Sequence, residues 1–257
     1  MTAVRDNLVR VARAGNGAHA GLIFGRYLEE QTEDGKKRLF DHTLRACRNA
    51  QGIYRLAWDR WLEETRDLTS ALFRVQTRLI TGLGAKGVLE TGIRLHHTYG
   101  IPLIPGSGLK GTVAHYCREA YPESPDFPAA EVRQALFGTA GNAGHIRFQD
   151  AWMMPDSLTA NGEGLLRDVM TSHHPKYYAG DSIAPHDGED PNPVAFLSVR
   201  GRFRVVVECD VPGPEGARWS AFALQLLEEA LKTSGVGGKT SSGYGRLKPD
   251  KPSAKSR

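Results

Sequence analysis

Apolar residues in this chain recur with two different periods, and the switches between them outline the elements. Over 37–67, Leu44, Cys47, Tyr54, Trp58 and Trp61 share one stripe while Arg45, Arg48, Arg55 and Arg60 fall mostly elsewhere, which predicts helix interrupted near Gly52. The two tryptophans read as core contacts. Over 70–80 the pattern alternates: Ala71, Phe73, Val75, Thr77 and Leu79 against Arg74, Gln76 and Arg78, a half-buried strand. A glycine-rich turn, Thr81 to Gly87, is followed by a predicted short strand or hairpin over 88–95. Pro105 and Gly106 stop any strand, and Ser107 reads as the N-cap of a helix that buries Leu109, Val113, Tyr116 and Cys117. A short helix over 131–137 closes at Gly138, and 144–152 alternates as one strand with Ile146 and Phe148 opposite His145 and Arg147. Residues 153–197, rich in Pro, Gly, His and Asp, read as an irregular insertion. A strand over 199–208 sets Val199, Phe203, Val205 and Val207 against Arg200, Arg202 and Arg204. Trp219, Phe222, Ala223, Leu226, Leu227, Ala230 and Leu231 then trace an amphipathic helix, before a glycine loop and a last strand to Leu247.

Without the insertion the order is strand, helix, strand, strand, helix, strand. This is an α+β chain on the ferredoxin-like (RRM-like) βαββαβ plan. Residues 1–65 form an N-terminal extension, mostly helical, of which 1–36 read as loosely structured or partner-dependent. The core spans 66–248, and 249–257 is a disordered basic tail. In that plan the first and third strands are neighbours, so Arg74 and Arg78 lie beside Arg200, Arg202 and Arg204. Guanidiniums on such a face suit backbone phosphates better than bases; the bland alternative is a solvated face or an ion-paired contact with another layer.

Composition narrows the class. A net charge of +4 over 257 residues permits a nucleic-acid partner without requiring one. The three cysteines, Cys47, Cys117 and Cys209, are isolated, with no C-x-x-C pair, so neither a disulfide framework nor a cysteine zinc site is expected. The N-terminal stretch carries Arg5, Asp6, Arg10 and Arg13 and lacks the apolar core of a secretory signal. No run is apolar enough to span a bilayer, so the expected location is cytoplasmic, with no membrane partner.

The densest chemical signal is Gly235-Val236-Gly237-Gly238-Lys239-Thr240-Ser241-Ser242-Gly243-Tyr244-Gly245-Arg246. Two Gly-apolar-Gly units flank five residues, so the backbone can take positive φ and approach a ligand without Cβ interference. Free N–H groups, Lys239, Arg246 and three hydroxyls suit phosphate oxygens. A mononucleotide P-loop is excluded: its first glycine falls at Thr233, and here a helix precedes the loop and a strand follows it. A plain helix-to-strand connector is the structural alternative. Gly106, Ser107 and Lys110 combine a helix N-terminus with a cation, a second phosphate site or plain turn chemistry. His173, His174, His186, Asp187, Glu189 and Asp190 have metal-ligating side chains, but adjacent histidines rarely hold one ion. No metal and no cofactor are expected. The segment with His173, His174, Lys176, Tyr177 and Tyr178 reads instead as ordering the insertion against RNA or a neighbour.

Three of these features resemble the RAMP superfamily of CRISPR-associated proteins. One is the glycine loop, whose spacing fits the superfamily pattern without departure. The second is Glu90-Thr91-Gly92-Ile93-Arg94-Leu95-His96-His97-Thr98-Tyr99-Gly100 running into Ile104-Pro105-Gly106-Ser107-Gly108-Leu109-Lys110-Gly111. The third is Asp168-Val169-Met170 with His173-His174-Pro175-Lys176-Tyr177-Tyr178. The last two are similar to the small terminal RAMP subunit, sixth in the naming, of type III-B (Cmr) effector complexes. The resemblance spans roughly 66–248 and adds little over 1–65.

That resemblance implies a subunit that caps the filament of RAMP backbone proteins at the 3′ side of the guide RNA. It would contact guide RNA, target RNA and neighbouring RAMP subunits within an antiviral ribonucleoprotein. Backbone subunits of the family cut target RNA with an aspartate in the loop after the first strand. Thr81 to Gly87 contains none, so no nuclease activity and no catalytic residue are expected here. A second reading is a RAMP endoribonuclease that processes precursor guide RNA, with His96 or His97 as general base and Lys110 on the phosphate. A third is an RNA-binding module outside CRISPR systems.

Overall fold

The computed structural model describes residue 10 and residues 17–122, 129–172 and 192–250. Among these, three helices precede the first strand: α1 (Ala20–Arg26), α2 (Glu33–Asn49) and α3 (Gln51–Glu64). Thr32 caps α2, its Oγ1 accepting from Gly35 N–H at 3.1 Å, and Glu33 and Asp34 in the first turn complement the helix dipole. The helical break falls at Ala50, not at Gly52. Residues 20–36, expected to be loose, are packed: Ile23, Phe24 and Leu28 are buried and belong to the main core. Their apolar spacing is too short to register as a helix in a glycine-rich context, yet contact with α2 fixes it.

The main sheet contains β1 (Thr69–Val75), β2 (Leu103–Ile104), β3 (Ile146–Phe148), β4 (Ala151–Met153), β7 (Arg202–Cys209) and β8 (Leu247–Pro249). Its order is β2-β4-β7-β1-β8, with β3 also on β7, and its strand pairings among the described residues are antiparallel. Leu72 lies opposite Arg204, and Arg74 opposite Arg202. Helices α4 (Gly106–Ala120), α5 (Ala129–Phe137) and α6 (Gly213–Thr233) complete the chain, with α4 and α6 packed on each other and α6 on β7 and β1. Leu226, Leu227, Ala230 and Leu231 of α6 are buried against this face, as the 3.6-residue spacing requires. Phe222, by contrast, remains 39% exposed.

Several boundaries differ from the sequence pattern. No strand forms over 88–95; the segment is an irregular loop closed by the Leu95–Pro102 bridge. The alternating stretch over 144–152 is broken into β3 and β4 at Gln149 and Asp150, both pieces pairing with β7. Residues 164–172 and 192–197, expected within the irregular insertion 153–197, belong to β5 (Gly164–Ser172) and β6 (Asn192–Arg200), an antiparallel pair. The strand over 199–208 is cut at Gly201, whose φ of 147° turns the chain from β6 into β7. A Cβ there would meet the Ser157 side chain at 2.8 Å, which explains the glycine.

The arginine face is the main correction. Arg204 is 7% exposed and lies under α3, donating to Thr65 O at 3.0 Å and Ser70 Oγ at 3.1 Å, with its guanidinium 4.9 Å from the Trp61 ring centroid. Trp61 stacks on Trp152 at 5.0 Å and 11°, and Tyr54 stacks on Trp152 from α3 at 5.7 Å. The Tyr54 hydroxyl donates to Met153 O at 2.6 Å. The sheet therefore has helices on both faces, and Trp58 and Trp61 are core residues.

Candidate nucleic-acid interface

The glycine loop leaves α6 and returns as β8, and its conformation depends on positive φ. Gly235, Gly237, Gly243 and Gly245 have φ of 73°, 92°, 86° and 73°, and Lys239 is the one non-glycine residue among those described with positive φ, at 56°. Internal bonds pin the loop at its base. Val236 N–H donates to Gly245 O at 2.9 Å, Gly245 N–H to Arg78 O at 2.7 Å, and Gly238 N–H to Ile80 O at 2.8 Å. Thr77 Oγ1 donates to Gly243 O at 2.7 Å. The tip is a 3₁₀ turn, Thr240–Ser242, in which Ser242, Gly243 and Tyr244 N–H bond back to Lys239 and Thr240 carbonyls. Gly237, Lys239, Thr240 and Ser241 N–H groups find no partner among the described residues. Lys239, Ser241, Ser242 and Gly243 are exposed, and Thr240 half-buried. The tip thus offers free donors and an exposed ammonium on a base held rigid by the sheet.

Tyr244 and Arg246 do not point outward with the tip. The Tyr244 hydroxyl is 3.2 Å from Asp168 Oδ2 on β5, and its ring lies against Phe196 on β6. Burial first, then the Asp168 carboxylate, pushes the Tyr244 phenol above its ordinary pKa, so it stays a donor. Arg78 reaches the same carboxylate at 3.8 Å and donates to Arg167 O and Ser198 Oγ at 3.2 and 3.0 Å. Arg246 is half-buried, and its Nη1 is enclosed with no acceptor among the described residues.

The segment 80–94 lies beside the loop. Gly238 faces the Leu83 side chain, Gly92 N–H donates to Leu83 O at 2.7 Å, and Arg94 N–H to Thr81 O at 2.7 Å. Lys86 and Arg94 are exposed and, like Lys239, have no ion pair among the described residues. Neither was singled out from the sequence, although Lys86 stands inside the glycine-rich turn after β1. The arginines that were singled out behave differently. Arg74 is held by Glu163 at 2.5 Å and Asp250 at 3.1 Å, and Arg202 reaches Asp250 at 3.7 Å. Arg74 and Arg78 therefore have their charge balanced within the chain, which departs from an open phosphate-binding face.

The helix N-terminus is also partly spoken for. Pro105, not Ser107, is the N-cap of α4, and the Asp150 carboxylate takes the Gly106 N–H at 2.7 Å. Gly108 approaches Val236 of the glycine loop, but Ser107 and Lys110 line a separate cleft of about 370 Å³ with His145, Arg147, Glu208 and Asp210. His145 pairs with Asp210 at 2.7 Å there. Neither His96 nor His97 is among the residues that line that cleft with Lys110. His173, His174 and Lys176 lie outside the described residues. Among the described residues there is no metal-ligand cluster and no helix long and apolar enough to cross a membrane.

Comparison with known proteins follows the same outline. Cmr6, the CRISPR system Cmr subunit of Pyrococcus furiosus, is 29% identical over 256 residues, covering 77% of this chain and 74% of that protein. A cryo-EM structure of the type III-B Cmr-beta bound to cognate target RNA contains a chain that matches with a TM-score of 0.61 at 19% identity, covering 87% of this chain and 77% of that one; the likeness is one of fold. The crystal structure of Cmr6 from Pyrococcus furiosus matches with a TM-score of 0.43 at 29% identity, over 70% of this chain and 97% of that one. The RAMP superfamily model matches residues 72–248, from β1 through the glycine loop to β8. This chain belongs to the RAMP superfamily.

Proposed function

We propose that this chain is a non-catalytic, RNA-binding subunit of a type III-B (Cmr) effector complex, capping the backbone filament at the 3′ side of the guide RNA and helping hold guide and target. The observation that carries the reading is the glycine-loop tip: unpartnered N–H groups at Gly237, Lys239, Thr240 and Ser241 beside the exposed ammonium of Lys239. Lys86 and Arg94, on the segment bonded to the loop, extend that surface with cations not neutralised by described carboxylates. The likeness to Cmr6 supports the complex, and the strand order supports a ferredoxin-like core, with β8, β1, β7 and β3–β4 taking the four strand places.

Contacts with neighbouring subunits are consistent with apolar side chains left outside. Ile53 and Leu56, one helical turn apart on α3, are 62% and 64% exposed. The absence of an aspartate from Thr81 to Gly87 supports a non-catalytic role, and neither His96 nor His97 is among the residues that line the Lys110 cleft. A tagged pull-down from the native host tests the proposal, with mass spectrometry of the proteins and sequencing of bound RNA. Recovery of several RAMP proteins and spacer-derived RNAs of defined length is expected. Recovery of the chain alone, or with unprocessed repeat RNA, would overturn it.

A further inference from the structure

The loop 95–102 carries a column of rings that none of the preceding chemistry uses. The His97 ring lies over His96 with centroids 5.2 Å apart and planes 13° from parallel. His96 meets the edge of Trp152 at 5.0 Å and 79°, and Tyr99 at 4.8 Å. Trp152 is in turn stacked on Trp61 and Tyr54, so the column runs from the core under α3 to the surface. It ends on His97, which is exposed.

Hydrogen bonds hold both plates. Thr98 N–H donates to His96 Nδ1 at 3.1 Å, and Thr98 Oγ1 is 3.1 Å from His97 Nε2. The His96 carbonyl accepts from Gly100 N–H at 2.8 Å and lies 3.2 Å from His19 Nε2. A donor at Nδ1 requires a lone pair there, so His96 is the neutral tautomer with its proton on Nε2. Burial first and the neighbouring His97 second hold its pKa below the ordinary value, against the opposing pull of Asp150. The inner plate is therefore uncharged at neutral pH, and the outer one is oriented before any ligand arrives. This is the arrangement of a stacking platform: a flat, exposed π-face backed by packed rings, with the unneutralised Arg94 in the same segment.

We infer that His97 is a stacking platform for one unpaired base of single-stranded RNA whose backbone passes the glycine loop and Arg94. The inference rests on the RNA-binding reading above and adds a base contact to its phosphate contacts. Stacking is sequence-tolerant, so the platform takes any base, purines most strongly.

Fluorescence anisotropy of the purified chain with a labelled single-stranded oligoadenosine tests it, using wild type, His97→Ala, His97→Phe and Lys239→Ala, each first checked for an unchanged melting temperature. The expected result is at least about fivefold weaker binding for His97→Ala, restored by His97→Phe, with an unchanged salt slope. Lys239→Ala should weaken binding and lower the slope. If Lys239→Ala weakens binding but His97→Ala does not, the platform is wrong and the phosphate-binding loop stands. If His97→Phe fails to restore what His97→Ala loses, the imidazole acts by hydrogen bonding and stacking is overturned. Wild-type protein that binds no RNA overturns the platform together with the RNA-binding reading.

Discussion

Two glycines of the loop differ in a way that sets a numerical test of its architecture. Gly243 and Gly245 both have positive φ, 86° and 73°, so alanine at either carries the same backbone strain, about 1–2 kcal/mol. Their surroundings are unlike. A Cβ on Gly243 meets nothing within 4 Å, whereas one on Gly245 collides with the Val236 carbonyl oxygen and comes within 3.0 Å of its carbon. The obstruction is backbone, so the loop must move. Moving it breaks the bond from Val236 N–H to Gly245 O, the bond from Gly245 N–H to Arg78 O, or both. Each buried group left unsatisfied costs about 1–3 kcal/mol. Gly245→Ala should therefore destabilise by about 3–5 kcal/mol and Gly243→Ala by about 1–2 kcal/mol. In urea, with a slope of about 3 kcal/mol per molar, the midpoints fall by about 1–1.7 M and 0.3–0.7 M. Tryptophan fluorescence follows the transition directly, because Trp58 and Trp61 are core residues. Equal shifts for the two variants would refute the claim that the loop's base is fixed by backbone contact rather than by φ alone.

Other outcomes follow from the same geometry. Arg204→Met removes buried bonds to Thr65 and Ser70 and the cation over Trp61, and should cost about 2–4 kcal/mol, read as a lower melting temperature. Arg74→Ala should leave the salt slope of RNA binding unchanged, since Glu163 and Asp250 already hold that guanidinium, while Lys239→Ala lowers it by about 0.7 on a single strand. Iodoacetamide at mildly alkaline pH should label half-buried Cys209 first and spare Cys47, whose thiol burial pushes up to about 12 from 9.0. The same shift makes the Cys47 contribution to stability complete below pH 9.0; it is lost as pH rises toward 12, because only the unfolded chain ionises in that window. A loss of stability that begins well below pH 9.0 would have another source.

The glycine loop was legible because its spacing is local: two Gly-apolar-Gly units need no knowledge of what lies beside them. So were β1, α4 and α6, each marked by one period sustained over several turns or residues. The antiparallel pair of β5 and β6 was not legible, since its two strands pair across residues 173–191 and neither alternates cleanly. The helical layer over Arg204 was hidden for a different reason. A guanidinium signals solvent or phosphate by default, and only the long-range partners Thr65, Ser70 and Trp61 make its burial tolerable. Lys86 and Arg94 were missed because a lone cation in a loop says nothing until its carboxylate neighbours are known. The Asp150 cap on α4 is likewise long-range, 44 residues from Gly106, so Ser107 took its place in the sequence reading.

The central claim is that RNA lies on the glycine-loop tip, and crosslinking in the native assembly tests it most directly. Ultraviolet irradiation of the tagged complex, followed by mass spectrometry of RNA–peptide adducts on this chain, locates the contact to individual residues. The account predicts adducts within the peptide that spans Lys239 to Arg246, with others near Lys86 and Arg94. Adducts confined to the paired Arg74 and Arg202 of the main sheet, or a chain free of adducts in a particle that retains its RNA, would contradict it.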